Sequence, residues 1–394
     1  MNELIKANRY RWVILGVSFL AEFQTVITRF GFSSLIPLIK PELGMTYTQA
    51  GLVSSAYFIT YSAMQIPSGY ISDRFSLKKV IPLSALGVGA FTILNSLTSN
   101  FLEMLVCRLA IGFAGSVIFV PLTKLIATWF PSKERGRAIG VLMTGASAGS
   151  IFASGIVPLL GSLYGWRNTF VISGALPIIS ATFIYKLIRE RPKQDVLKKV
   201  MGRPPFKTIF REKDIWFIGL ALCMAHISGG VHTWLPTFMV EKLNVEYVFM
   251  GYLLATLGII GFPFSFISGW LSDRVGRKFL IILGSFLRIP TLILLSRISL
   301  IPVLIDILGW RLFSSFSTTV LFAYTHDVSG AEKAGAAMGF VHTFSQAGLF
   351  IGPALAGSIL DITGSYTNCF DIFAILSITI AAFVYFVKTK NSVD

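Results

Sequence analysis

The chain has few of the residues that build soluble surfaces, disulfide frameworks and metal sites. Only 13% of its 394 residues are charged, and it contains three cysteines and four histidines. Three cysteines spread over separate apolar segments favour neither a disulfide framework nor a metal site. A low charge content, 54% apolar residues and a mean hydropathy of +0.71 exclude a soluble globular protein. The sequence therefore predicts a membrane protein.

Motifs for nucleotide hydrolysis and for catalysis are also absent from the sequence. No Gly-rich loop ends in Lys-Ser or Lys-Thr, so ATP hydrolysis is not expected to drive this protein. No combination of His, Cys and Asp has the arrangement of a hydrolytic or metal centre. We therefore expect no enzymatic activity, no catalytic residue, no metal and no cofactor.

Long apolar stretches make up most of the chain. A helix needs roughly 20 apolar residues to cross the hydrocarbon core of a bilayer. Stretches of this kind lie at about residues 11–39, 47–70, 79–98, 101–130, 137–163, 166–187, 215–237, 247–271, 279–296, 301–325, 335–360 and 370–387. They predict an all-α membrane protein with twelve transmembrane helices.

A charged turn between apolar stretches occurs twice, 200 residues apart. The segment Gly69–Lys79 reads GYISDRFSLKK, and the segment Gly269–Lys278 reads GWLSDRVGRK. Two related membrane-embedded halves with a cleft between them are typical of transporters that move around a central site. We expect two pseudo-symmetric six-helix bundles, at residues 1–188 and 214–394, joined by a cytoplasmic linker at residues 189–213.

The net charge of +15 is concentrated on one side of the predicted helices. Ten Lys and Arg residues lie between Lys186 and Lys213 alone, and others lie in turns on the same face. By the positive-inside rule both termini are expected in the cytoplasm, in a multi-pass protein of the plasma membrane. Nucleic acid is not an expected partner, because no soluble domain presents these charges.

The charged turn carries a resemblance to a known family. The pattern Gly-x-x-x-Asp-Arg-x-Gly-Arg-Lys after the second helix resembles the best-known signature of the major facilitator superfamily. Its second copy is complete, whereas the first has Ser76 in place of the glycine and Leu77 in place of the first of two basic residues. Segments Arg108–Gly115 and Trp129–Ala138 resemble two further motifs of that superfamily. The resemblance covers the whole chain and implies a secondary active transporter.

The subfamily is indicated by the first helix. Arg29, followed by Leu35-Ile36-Pro37, is similar to the anion:cation symporters and the sugar-phosphate permeases. This resemblance implies an anionic solute.

The signature turns are candidates for a cytoplasmic gate. Asp73 and Asp273 each end a helix, where a carboxylate can accept charge-assisted bonds from Arg74 or Arg274 and from the backbone N–H groups of a neighbouring helix. The alternative is that the basic residues only set the topology and that the carboxylates only cap. The Gly and Asp at fixed offsets in both copies favour gating.

Two charges lie inside the first predicted helix, where each needs a partner or a water-filled cavity. Glu22 and Arg29 are seven residues apart, which places them on one face and about 10 Å apart along the axis. Arg29 is a candidate anchor for the anion, and the alternatives are a structural ion pair or snorkelling to the outer interface. Glu22 is a candidate proton-coupling residue, and the alternative is a hydrogen-bonded structural carboxylate.

Further polar residues in other helices are candidates for contact with the solute. Arg108 and Arg311 occupy equivalent positions in the fourth and tenth helices and could instead hold the packing of the bundle. Lys124 lies nearer the cytoplasmic end of the fourth helix, where snorkelling explains it equally well. Arg288 has no clear interpretation from the sequence.

Aromatic, histidine and amide side chains complete the predicted solute site. Tyr57 and Tyr61 lie on one face of the second helix, suited to a cavity wall or to hydrogen bonds between helices. His226, a further candidate for proton coupling, precedes a glycine pair that permits bending. His342 shares a face with Gln346 in the eleventh helix. For either histidine, a neutral ring bonded to a backbone carbonyl is the alternative.

These observations favour a secondary active transporter that moves a small organic anion, a carboxylate or an organophosphate, by proton symport and alternating access. Antiport, facilitated uniport of a small polar solute, and a transporter-like ligand sensor are the alternatives. The expected partners are the anionic solute, protons and the lipid bilayer, and the chain is expected to be monomeric.

Overall fold

The computed structural model describes residues 2–189 and 210–388, and no described residue lies in a β-strand. Residues 190–209, which form most of the predicted linker, lie outside this description. The described helices are α1 Asn2–Glu42, α2 Tyr47–Ala63, α3 Gln65–Arg74, α4 Leu77–Asn95, α5 Phe101–Trp129, α6 Ser132–Leu187, α7 Lys213–Ser228, α8 Val231–Glu241, α9 Tyr247–Gly261, α10 Phe264–Val275, α11 Arg277–Leu294, α12 Leu300–Thr363 and α13 Tyr366–Phe386.

Breaks in the helices show how the thirteen described helices correspond to the twelve predicted spans. Gly165 and Gly330 have φ values of 76° and 71°, which only glycine adopts readily, so α6 and α12 each consist of two helices in series. Short breaks at Met64, at Gly229-Gly230 and before Phe264 divide three other spans into the pairs α2/α3, α7/α8 and α9/α10. The described residues therefore form twelve membrane-length segments, as the apolar pattern predicts.

The fold comprises two compact units. Unit 1 contains Met1–Met45, Ala56–Gln194 and Asn244–Thr256, and unit 2 contains Thr46–Ser55, Asp195–Leu243 and Leu257–Asp394. The first two turns of α2 thus belong to unit 2, although the rest of that helix belongs to unit 1.

Close contacts between small residues hold the helices of unit 1 together. Helix α6 packs against α1 and α4. A Cβ atom on Gly89 would lie 2.5 Å from the carbonyl oxygen of Gly174, so both glycines are needed where α4 meets the second part of α6. In a bilayer such close approach replaces the hydrophobic effect as the source of helix association.

The core of unit 2 contains larger side chains from α7, α11 and α12. Leu222, Leu280 and Phe316 are among its buried members. Conversely, Leu83 in unit 1 and Ile301 in unit 2 leave 70% and 73% of their surfaces exposed. Apolar side chains that point away from the unit's own core are expected where a helix faces lipid.

Candidate functional site

Arg29 of α1 lies against two tyrosine rings of α2. Its guanidinium carbon is 5.1 Å from the ring centroid of Tyr57 and 4.8 Å from that of Tyr61. The two rings stack on each other at 5.5 Å because residues four apart share a helix face. The buried Nε and Nη2 atoms of Arg29 have no hydrogen-bond partner among the described residues. Arg29 therefore offers a positive charge and unpaired N–H donors on an aromatic support.

Glu22 lies two turns before Arg29 on α1 and is 3% exposed. Its Oε2 atom accepts no hydrogen bond from the described residues, while Arg29 acts on it electrostatically. Thr25, between them, donates to the carbonyl of Ala21 at 2.7 Å. The carboxyl group of Glu22 is thus a buried group with a free oxygen, near one cation.

Arg108 of α5 fixes the backbone from which Arg29 projects. Its Nη1 and Nη2 atoms donate to the carbonyl oxygens of Thr28 and Arg29, at 2.9 and 3.0 Å. Its guanidinium carbon also lies 5.6 Å from the Tyr57 ring centroid. Gly112 admits this tyrosine, since a Cβ there would lie 2.2 Å from the Tyr57 carbonyl oxygen. These bonds fit the alternative role of Arg108, which is to hold the packing of the bundle. Its contact with solute stays a prediction.

Lys124 of α5 binds the signature turn of unit 1. Its Nζ atom lies 2.6 Å from Oδ1 of Asp73 and also donates to the carbonyl oxygen of Ser72, at the end of α3. Arg74, which the sequence suggested as a partner for Asp73, lies over the Tyr70 ring at 4.6 Å. Lys124, a predicted solute contact, thus binds the predicted gate.

The equivalent turn of unit 2 forms a different pair. Asp273 lies 3.3 Å from Arg277, and Arg277 also pairs with Asp327 of α12. Arg274 stacks over the Trp270 ring at 4.0 Å. Arg277 corresponds to Leu77 in the first copy, and leucine cannot pair with a carboxylate. In that copy Lys124 of α5 pairs with Asp73. The pattern did not indicate Asp327, because that residue lies 50 positions beyond Arg277.

The histidines and Gln346 lie in unit 2. His226 Nδ1 is 2.9 Å from the carbonyl oxygen of Leu222, which is the backbone bond that the sequence left as the alternative. His226 lies in the last turn of α7, two residues before its end at Ser228. His342 Nε2 is 3.3 Å from Nε2 of Gln346, as expected for residues four apart on one helix. Contact of these residues with solute stays a prediction.

Two arginines lie within the helices of unit 2, Arg311, which is half-buried, and Arg288. Arg311 Nη2 is 3.1 Å from His232 Nε2, a partner that the sequence did not reveal. Arg288 is completely buried, and its Nη2 donates to the carbonyl oxygen of Ala225 at 3.2 Å. Its guanidinium carbon lies 5.8 Å from the ring centroid of Trp310. Arg288 thus reaches from α11 to the backbone of α7.

Twelve apolar helical segments, a charged turn repeated in both units and buried charged residues define a membrane transporter. The family model of the Major Facilitator Superfamily matches residues 18–310, and the chain belongs to this superfamily. The predicted family and all-α fold are confirmed, and the chain is a transporter and not an enzyme.

Individual relatives support the same assignment. The chain is 27% identical to the probable sulfoacetate transporter of Cupriavidus necator, over 94% of this chain and 92% of that one. It is 24% identical to the hexuronate transporter of Bacillus subtilis, over 89% and 88% of the two chains. The fold is similar to the crystal structure of a bacterial homologue of the human lysosomal transporter Spinster, with a TM-score of 0.81 at 18% identity over 96% of this chain and 95% of that one.

Proposed function

We propose that this transporter carries a small organic anion by proton symport, with alternating access. Two of its relatives are named for sulfoacetate and for hexuronate, both small organic acids. A carboxylate, as in a sugar acid, is the acidic group that we assign to the solute. We place the protein in the plasma membrane as a monomer, with both termini in the cytoplasm.

The observation that carries this proposal is the environment of Arg29. Arg29 is half-buried, its Nε and Nη2 atoms are buried without a hydrogen-bond partner among the described residues, and no described carboxylate forms a salt bridge with it. Leaving a buried charge unpaired is costly, so a bound anion would gain from the full attraction of this cation. A carboxylate can accept two parallel bonds from a guanidinium, which also fixes its orientation.

Glu22 supplies the proposed link to protons. When an anion binds at Arg29, it competes for the positive field that stabilises ionised Glu22, so Glu22 takes up a proton. Binding of solute and of proton is then coupled, and the coupling is reciprocal. His226 is the second candidate for this role, because it lies half-buried next to the break between α7 and α8.

The proposal is tested by uptake of galacturonate and of sulfoacetate into proteoliposomes. We expect wild-type protein to take up at least one of them, and Arg29→Lys to lower its uptake by at least about tenfold, because an ammonium cannot replace the planar two-pronged donor. Arg297→Lys is the matched control, since Arg297 belongs to unit 2 and pairs there with Asp371. Uptake that is unchanged in Arg29→Ala would refute both the anion and the site.

A further inference from the structure

Arg288 is a buried cation that the proposed function does not use. Its side chain has no exposed surface, and its Nε and Nη1 atoms have no hydrogen-bond partner among the described residues. Its one hydrogen bond among the described residues goes to the carbonyl oxygen of Ala225. A guanidinium in this state carries a large desolvation cost that one backbone bond does not offset.

The internal repeat shows that the fold does not require a cation at this position. The signature turns align Lys278 with Lys78, which places Arg288 opposite Val88 in the first half. Val88 is buried in α4, as Arg288 is in α11. An apolar side chain therefore fills the equivalent place in unit 1, and the arginine of unit 2 serves a purpose other than packing.

Further unpaired donors lie beside Arg288. Trp310 is 4% exposed, its ring centroid is 5.8 Å from the guanidinium carbon of Arg288, and its Nε1 has no hydrogen-bond partner among the described residues. Arg311, the next residue in α12, reaches this cluster through His232, whose ring stacks on Trp310 at 6.3 Å, and its Nε atom has no hydrogen-bond partner among the described residues. This region of unit 2 therefore concentrates N–H donors that lack acceptors.

The balance of charge in the same region is positive. Arg288 and Arg311 are both cations, and the carboxylate nearest along α12 is Asp306, which forms no described salt bridge with either. One carboxylate cannot neutralise two guanidinium groups. A net positive charge at membrane depth favours a bound anion, because an unpaired charge there is costly.

We propose that Arg288 and Trp310 form an anion-binding site in unit 2, for a group the size of a halide or a carboxylate. The Arg288 guanidinium supplies the charge, and the indole Nε1 supplies a neutral donor. The bound group is either a free inorganic anion or an acidic group of the transported solute. The site uses none of the residues assigned to the solute around Arg29, so either assignment can fail alone.

The test uses thermal unfolding of the purified full chain, titrated with sodium bromide, sodium nitrate or sodium galacturonate against sodium HEPES at equal ionic strength. A ligand that binds the folded state raises Tm saturably. We expect Arg288→Gln to abolish the response to at least one of these anions. Trp310→Phe keeps an aromatic ring and removes the Nε1–H donor. We expect this variant to bind the same anion with an affinity lower by about tenfold. Arg297→Gln is the control and should respond like the wild type.

The outcomes distinguish a free inorganic anion from an acidic group of the solute, and the Arg288 site from the Arg29 site. A bromide or nitrate response that requires Arg288 and persists in Arg29→Gln identifies a free-anion site, whereas a galacturonate response alone that requires Arg288 identifies an acidic group of the solute. A response to every anion that survives in both Arg288→Gln and Trp310→Phe overturns the proposal. A response that is lost only in Arg29→Gln also overturns it and leaves the proposed function intact.

Discussion

Arg29 combines a buried charge with two aromatic neighbours, and this combination suits it to reversible binding. The rings of Tyr57 and Tyr61 attract the guanidinium without neutralising it. A carboxylate partner in their place would compete with the solute for the same N–H donors. The two bonds from Arg108 to the α1 backbone hold the helix at this point, so the guanidinium is positioned before the solute arrives.

Loss of a tyrosine ring should therefore weaken solute binding. We expect Tyr61→Leu to reduce the affinity for the transported acid by about threefold to tenfold, because a cation–π contact of roughly 1 kcal/mol no longer holds the guanidinium in place. Tyr61→Phe keeps the ring and should bind nearly as well as the wild type. Titration of both variants with galacturonate checks this, and equal affinity in Tyr61→Leu and Tyr61→Phe would show that the ring has no such role.

At the scale of helices, the N-terminus of α2 is held by a carboxylate from another element. Asp361, near the end of α12, accepts the backbone N–H groups of Tyr47 and Thr48 at 2.9 and 2.7 Å. At the equivalent start of α9, Glu246 caps its own helix through the N–H groups of Val248 and Phe249. Within unit 2, the first turn of α2 is therefore capped by a side chain of α12.

Removing this cap should destabilise the protein. We expect Asp361→Asn to lower the free energy of unfolding by about 0.5–2 kcal/mol, because an amide has one acceptor oxygen where the carboxylate uses two, and loses the charge that favours a helix N-terminus. The midpoint of thermal unfolding in detergent measures this change. A midpoint equal to that of the wild type would mean that Asp361 does not hold the helix in solution.

The pair between Lys124 and Asp73 is the element-scale candidate for control of transport. We expect Asp73→Asn to change the rate of uptake while leaving solute affinity within about threefold, because an exposed pair contributes only about 0–1 kcal/mol to stability and lies outside the Arg29 cluster. Lys124→Arg retains the pair and is the matched control. Uptake kinetics and a binding titration on the same preparation separate the two effects. An unchanged rate would leave the turn as a topology signal.

At the scale of the whole molecule, the sequence was sufficient to predict the twelve segments and the repeat. The length and apolar content of each stretch define the spans without any knowledge of packing, and the structure adds the breaks at Gly165 and Gly330. The pairing of side chains was not predictable in the same way. Helices that are apolar on every side give no indication of which face meets a neighbour.

In the candidate site, too, relations within one helix were predictable and contacts between helices were not. Glu22 and Arg29 could be assigned to one face because they lie on one helix. The contacts of Arg108 with the α1 backbone and of Lys124 with Asp73 join residues 80 and 51 positions apart, so they depend on how the helices pack. The interpretation of Arg288 likewise required the position of Trp310.

The central claim is that movement of the anion is coupled to a proton through Glu22. The most direct test compares accumulation of the transported acid in proteoliposomes with an imposed pH gradient, acidic outside, for wild-type protein and for Glu22→Gln, which resembles the protonated carboxyl group. We predict that the wild type concentrates the acid when the gradient is present and that Glu22→Gln still exchanges labelled for unlabelled acid but no longer concentrates it. Accumulation by Glu22→Gln that equals the wild type would contradict the account and would direct attention to His226.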